Sequence, residues 1–275
     1  MAEPLRLLGI LAHPDDESLG NGGTFARYAA EGVETYLVTA TRGERGWPGD
    51  PARDPGPEAL GRIRTAELEA AAAVLGIREV VFLDYIDGDL DQADPQEAVA
   101  KIVRHIRRVR PQVILTFPPD GAYGHPDHIA ISQFALSAAV CAADANYAPT
   151  GDLPPHAPAK FYFMAYTKAQ GAAYQSVFGD LVMHVDGVER RGTWGEDWNA
   201  TTRLDTAAYR ETVWQAINCH RTQMVVYREL DRLAPEQQHL LWDQQLYYRA
   251  YSTVNGGRAI ETDLFAGLRP DSGNE

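Results

Sequence analysis

Over the first 143 residues, apolar runs alternate with helix-like stretches, and this alternation limits the fold more than any other feature of the chain. The runs cover residues 5–11, 33–40, 79–83 and 113–117, and they read as buried strands. Between them the spacing predicts a short helix over 24–31, ended by Gly32, and a long one over 58–75, ended by Gly76. In the long helix Ile63, Ala66, Ala70, Ala73 and Val74 recur at helical spacing. A third helix is predicted over 94–110, with Asp94 as cap, Pro95 in the first turn and Pro111 as stop. Val99, Ile102, Val103 and Ile106 form its apolar face, and Pro126 opens a fourth helix over 126–143. Such a pattern implies an α/β fold: a doubly wound, mostly parallel sheet with right-handed crossovers and helices on both faces. In the common strand order 3-2-1-4, strands one and four are neighbours, and the loops behind them meet.

The rest of the chain reads as a smaller α+β extension over 144–269. A Pro-rich connector spans 146–158, strands are predicted at 161–166 and 181–185, and helices at 203–221 and 235–248. Tyr209, Val213, Trp214 and Ile217 form the apolar side of the first of these helices. Residues 270–275 read as a frayed tail. The whole chain, 1–275, is expected to be one domain: a core over 1–143 and pocket-shaping elements over 144–269. The stretch 41–57, dense in Pro, Gly and Asp, reads as a long surface loop of the kind that forms lids or binding elements.

Hydrophobic residues make up 45% of the chain, enough for a real core. Its net charge of −13 disfavours nucleic acid or an anionic membrane surface as the main partner. Cys141 and Cys219 suggest no disulfide framework, which fits a reducing cytoplasm. The sequence shows no signal peptide and no apolar run long enough for a transmembrane helix.

The chemistry is concentrated behind strands one and four. Ala12-His13-Pro14-Asp15-Asp16-Glu17 follows the first, with a glycine-rich stretch, Gly20, Gly22 and Gly23, read as a turn. His125-Pro126-Asp127-His128 follows the fourth. A single His-Pro-Asp is ordinary turn chemistry, but two such clusters at two strand ends favour one shared metal ion. Catalytic zinc takes three protein ligands and keeps one position for water. His13, Asp16 and His128 supply such a set, though iron or cobalt would also fit two His and one Asp. Asp15 then stands beside the ion, unbound, and takes a proton from a water whose pKa the metal lowers to about 7. His125 is placed to face a substrate carbonyl, where as a cation it stabilises an oxyanion or protonates a leaving amine. Asp127 between the two histidines is a candidate to orient one of them.

Of the other histidines, His105 lies on a basic helix face, and His156, His184 and His239 read as surface or core. His220 stands evenly between closing a helix and lining a pocket. A nucleotide-binding module is the competing class, since a glycine-rich turn follows a strand. The spacing is not GxGxxG, however, and the carboxylates would face phosphates.

At His13-Pro14-Asp15-Asp16-Glu17, Thr41-Arg42-Gly43-Glu44, Arg64-x-x-Glu67 ahead of Leu75-Gly76, and His125-Pro126-Asp127-His128, the chain resembles the zinc-dependent deacetylases of the LmbE-like family, also called PIG-L deacetylases. The similarity is clearest over 5–140; His220 and Gln223 look like the family's C-terminal His-x-x-Gln. The resemblance implies a Rossmann-like fold and hydrolysis of an N-acyl group, usually acetyl, from a glucosamine-containing small molecule. Within the family the alternatives are cleavage of mycothiol-type S-conjugates and removal of a longer acyl chain. By position, His13, Asp16 and His128 match the metal ligands, Asp15 the general base and His125 the residue that stabilises the transition state. Tyr123 matches a tyrosine that assists at the carbonyl in mycothiol-pathway members, and Arg64 and Glu44 look like substrate-pocket residues. Many members assemble, so a homo-oligomer is compatible with the resemblance.

Overall fold

The computed structural model describes residues 3–148, 151–185 and 187–269; the expected tail, 270–275, lies outside the described residues. Strands β1 (Arg6–Leu11), β2 (Glu34–Thr41), β3 (Glu79–Tyr85), β4 (Val113–Thr116) and β5 (Lys160–Ala165) form the parallel part of a seven-stranded sheet. Its order is β3-β2-β1-β4-β5-β9-β8, where β8 is Thr202–Asp205 and β9 is Gln244–Ser252. Strand β9 runs antiparallel to both neighbours. The expected 3-2-1-4 order is present, with Leu7, Leu8 and Gly9 paired to Val113, Ile114 and Leu115. The two central strands are apolar along almost their whole length because both sheet faces are covered.

Helices α1 (Asp16–Ala30) and α2 (Pro57–Leu75) pack together and against α7 (Arg210–Ile217). Helix α3 (Pro95–Val109) packs on α5 (Pro126–Ala143), and a four-residue turn, α4 (Gly121–Gly124), precedes α5. With right-handed crossovers, the reversal of strand order at β1/β4 puts the α1/α2 and α3/α5 layers on opposite faces. Helices α6 (Lys168–Phe178), α8 (Met224–Tyr227) and α9 (Pro235–Trp242) belong to the C-terminal half. There Ala173, Val213, Ile217, Met224, Leu230, Leu233, Leu241 and Trp242 build a second, smaller core.

Four expectations are corrected. The first helix starts at Asp16, not at 24, so the acidic motif forms its opening turn. Gly22 and Gly23 are helical rather than a turn: a Cβ on Gly22 would lie 3.2 Å from Val213, and one on Gly23 2.6 Å from Thr206. Their bareness lets α1 approach the 206–213 segment closely. The helix expected over 203–221 is strand β8 followed by the shorter α7, and that over 235–248 is α9 followed directly by β9. Both strands are recruited by the edge of the sheet, where Leu204, Leu246 and Tyr247 become buried. The strand expected at 181–185 is β6 (Val182–Val185), which pairs with β7 (Val188–Arg191) in a hairpin apart from the main sheet.

The β5/β8/β9 end of the sheet closes over a buried polar knot. Lys160 Nζ donates to Glu261 Oε1 at 2.6 Å and to the Ala266 carbonyl at 2.9 Å. Glu261 also accepts from Tyr162, Thr202, Arg249 and Asn255. Burial opposes the carboxylate, but the hydrogen bonds from Lys160, Tyr162 and Asn255 outweigh it and hold Glu261 down to about 2. Glu261→Gln leaves Lys160 buried without a counter-charge. It is expected to destabilise the fold by about 3–5 kcal/mol, read by denaturant unfolding; a change below about 1 kcal/mol would remove the knot from the stability argument.

Candidate active site

Strand β1 ends at Leu11 and the chain turns at once into α1, so His13, Asp15 and Asp16 lie at the sheet's switch point. Asp16 Oδ2 accepts the backbone N–H groups of Ala12 and His13 at 3.1 and 2.7 Å, which fixes the turn and the carboxylate together. Strand β4 delivers the second motif. His125 caps α5, its Nδ1 accepting the Asp127 N–H at 3.2 Å. One turn on, His128 stacks on Phe117 with ring centroids 3.8 Å apart.

The hydrogen bonds fix which histidine nitrogens are free. His128 Nδ1 donates to the Gly121 carbonyl at 3.3 Å, which leaves Nε2 as the acceptor. His13 Nε2 donates to Asp127 at 3.0 Å and lies 3.2 Å from Asp87. Its Nδ1 faces His128 Nε2 at 3.2 Å. Asp16 completes the set through both oxygens, its Oδ1 3.6 Å from His128 Nε2 and its Oδ2 3.7 Å from His13 Nδ1. A tetrahedral ion with bonds of about 2.0–2.1 Å needs its ligand atoms about 3.3 Å apart. The donor set His13, Asp16 and His128 therefore fits such an ion in chemistry and in spacing.

The electrostatics point the same way. Burial pushes the Asp16 carboxyl up to about 7 against the pull of His13, and burial together with the His13 charge pushes His128 well below its ordinary value. Burial also opposes charge on His13, but Asp127, Asp87 and Asp16 overcome it and raise the ring to about 10. Something positive has to lie between His13 Nδ1 and its neighbours: a proton, or a metal that displaces it.

Asp127 and Asp87 are held in turn. Asp127 accepts the N–H groups of Gly88 and Leu90, and Asp87 accepts that of Arg45. Asp87 went unnoticed in the sequence, although it lies in the loop behind β3, where the switch-point rule directs attention. Burial opposes its charge, and its contact with His13 draws it down to about 2.

Asp15 is bound differently from Asp16. Its Oδ2 accepts from Arg64 at 2.9 Å and from the Tyr227 hydroxyl at 2.6 Å. Arg64 is itself anchored on the Pro14 and Gly43 carbonyls. Among the described residues no hydrogen bond is made to Asp15 Oδ1, and Asp15 lines the cavity. Gly43 has φ 63, and a Cβ there would collide with the Arg64 guanidinium. Tyr227 is a second residue the sequence did not reveal.

These groups open into a cavity of about 530 Å³, within the range of small-molecule sites. His13, Asp15, Asp16, His125, His128 and Tyr123 line one end of it, and Arg64 and Asp87 also reach its wall. The rest of the lining is largely apolar and includes Phe178, Leu181, Val182, Met183, Trp194 and Val226. Tyr123 lies with its ring 5.4 Å from that of His128 and 6.0 Å from that of His125. Burial, with Asp16 and Asp15 nearby, keeps its phenol protonated. His125 is pushed down to about 4 by burial and by the charge of His13, so the neutral ring is favoured over the expected cation. With Nδ1 used as acceptor, its proton sits on Nε2. Glu44 does not line the cavity; its carboxylate accepts the Asp87 and Arg42 N–H groups and braces the loop that presents Asp87.

Residues 8–139 match the PIG-L family, described as GlcNAc-PI de-N-acetylase. A relative from Streptomyces griseus, 1D-myo-inositol 2-acetamido-2-deoxy-alpha-D-glucopyranoside deacetylase, is 37% identical over 96% of this chain and 89% of its own length. The chain belongs to the PIG-L family of deacetylases. The PIG-L fold is shared more widely than the activity. N,N'-diacetylchitobiose deacetylase from Pyrococcus horikoshii aligns with a TM-score of 0.66 at 18% identity, over 97% of this chain and 87% of that one. The 4-carboxy-2-hydroxymuconate hydratase GalB from Pseudomonas putida aligns with a TM-score of 0.70 at 21% identity, over 93% of this chain and all of that one. At these identities the likeness shows the fold alone. No helix among the described residues is long and apolar enough to cross a membrane.

Proposed function

We propose that this PIG-L chain is a zinc-dependent N-deacetylase in which His13, Asp16 and His128 hold the metal and Asp15 is the general base. The observation that carries the reading is the placement of Asp15: its carboxylate keeps one oxygen free and lines the same cavity as His13, Asp16 and His128. When bound there, zinc supplies a positive centre that acidifies water and polarises the amide carbonyl. Asp15 Oδ1 takes the proton of the attacking water and passes it to the departing amine as the C–N bond breaks, so that acetate and a free amine leave. His125 Nε2–H and the Tyr123 hydroxyl donate toward the carbonyl oxygen as charge grows on it. Asp127 and Asp87 hold the His13 proton on Nε2, which directs its Nδ1 lone pair to the metal. Arg64 fixes the geometry of Asp15 and also lines the cavity.

The substrate is an N-acetylglucosamine unit carried by a small molecule, of the type named for the Streptomyces griseus relative. A second reading, removal of a longer N-acyl chain, is supported by the apolar lining at Phe178, Leu181, Val182 and Met183. The unpaired Cys141 and Cys219 support a cytoplasmic setting. Amine release from N-acetylglucosaminyl inositol, from simpler N-acetylglucosaminides and from their N-octanoyl counterparts tests the proposal. The zinc-loaded protein is expected to free amine from the acetyl substrates. Faster release from the octanoyl series would favour the second reading, and no amine from any of them would reject both.

A further inference from the structure

Asp15 adopts φ 114 and ψ −24, a backbone conformation that residues bearing a Cβ rarely take. Such strain persists only where surrounding contacts over-determine it. Its carboxylate is held by Arg64 and Tyr227, Arg64 also donates to the Pro14 carbonyl, and the Asp15 carbonyl accepts the Ser18 and Leu19 N–H groups. The Asp15 amide has an anchor of its own. The Asp15 N–H donates to Glu17 Oε2 at 2.9 Å. The other oxygen of Glu17 accepts from Ser18 Oγ and from His220 Nε2, the latter at 2.8 Å.

Glu17 and His220 are fully buried and 203 residues apart in sequence. Neither lines the cavity, so neither touches substrate. A buried carboxylate–imidazole pair is weak evidence of a stabilising role, since apolar residues of similar volume often serve as well. Here the pair ties the amide of the strained residue to a segment of the C-terminal half. The same segment supplies Tyr227, and Gln223, whose side chain donates to the Gly46 carbonyl at 2.9 Å.

We propose that Glu17 and His220 are a positioning pair for the reaction. By fixing the Asp15 amide they hold its unusual backbone conformation and so aim Oδ1 at the water, an inference that rests on the reading of Asp15 as general base. Catalysis tolerates little misplacement: about 1 Å costs on the order of 100-fold. Glu17→Leu removes the acceptor for the Asp15 N–H, whereas Glu17→Gln keeps a carbonyl oxygen there.

Both variants, with Asp15→Asn alongside, are to be compared for kcat, KM, bound zinc, thermal stability and crystal structure. Glu17→Leu is expected to lose kcat about 100-fold with KM and zinc content unchanged, and Glu17→Gln to recover most of it. In the Glu17→Leu structure the Asp15 φ is expected to leave the positive region. His220→Met tests the other half of the pair, with kcat down about tenfold, and stands in if Glu17→Leu does not fold. Lower melting temperatures with wild-type kcat, or equal losses in the Leu and Gln variants, would reduce the pair to a structural role and overturn the proposal. If Asp15→Asn keeps full activity, the base assignment itself has failed. If only Asp15→Asn loses activity, the positioning pair alone has failed.

Discussion

Asp15→Asn is expected to lower kcat by about 10²–10⁴-fold, the usual span for a general base, with zinc content unchanged. Asparagine keeps the size of the side chain and an oxygen for Arg64 and Tyr227, but it has no carboxylate to receive a proton. The metal donors are untouched, because the Asp15 carboxylate is bonded to Arg64 and Tyr227 rather than set in the His13–Asp16–His128 triangle. Loss of the buried counter-charge to Arg64 lowers stability too, so kcat is to be measured on folded, zinc-replete protein. A variant within tenfold of wild type would assign the proton transfer elsewhere.

The second large effect is expected from His13→Ala, which should abolish both zinc binding and turnover. His13 is the hub of the site: Nδ1 faces the other metal donors and Nε2 meets Asp127 and Asp87. Alanine removes a ligand and strands two carboxylates that depend on that N–H. Elemental analysis of the purified variant reads the first loss and amine release the second. Chelation of the wild-type protein, followed by zinc re-addition, separates loss of metal from loss of fold. Zinc retained near one equivalent in His13→Ala would reject the ligand assignment.

The parallel half of the fold was readable because its central strands, β1 and β4, are apolar runs ended by the two motif loops, and helix-like stretches separate the strands around them. The antiparallel edge was not. Strand β9 follows α9 with neither Gly nor Pro between them, and Trp242 and Leu246 continue a helical-looking spacing. Only the free edge of β5 decides the matter, and that is a tertiary fact. Helix α1 was misjudged for the opposite reason: Gly22 and Gly23 look like punctuation but serve close packing. In the site, His13, Asp16 and His128 stood out because ligand chemistry restricts the residue types allowed. Asp87, Tyr227 and the link from Glu17 to His220 did not, since what they supply is support for another side chain, and many residues can do that.

The C-terminal half reaches back to the first loop through His220 and Tyr227. Translation runs the other way. The two segments proposed to hold the metal leave the ribosome long before these two residues exist, so the contacts that fix Asp15 are the last part of the site to form. Completion of the site therefore waits on the docking of the last third of the polypeptide.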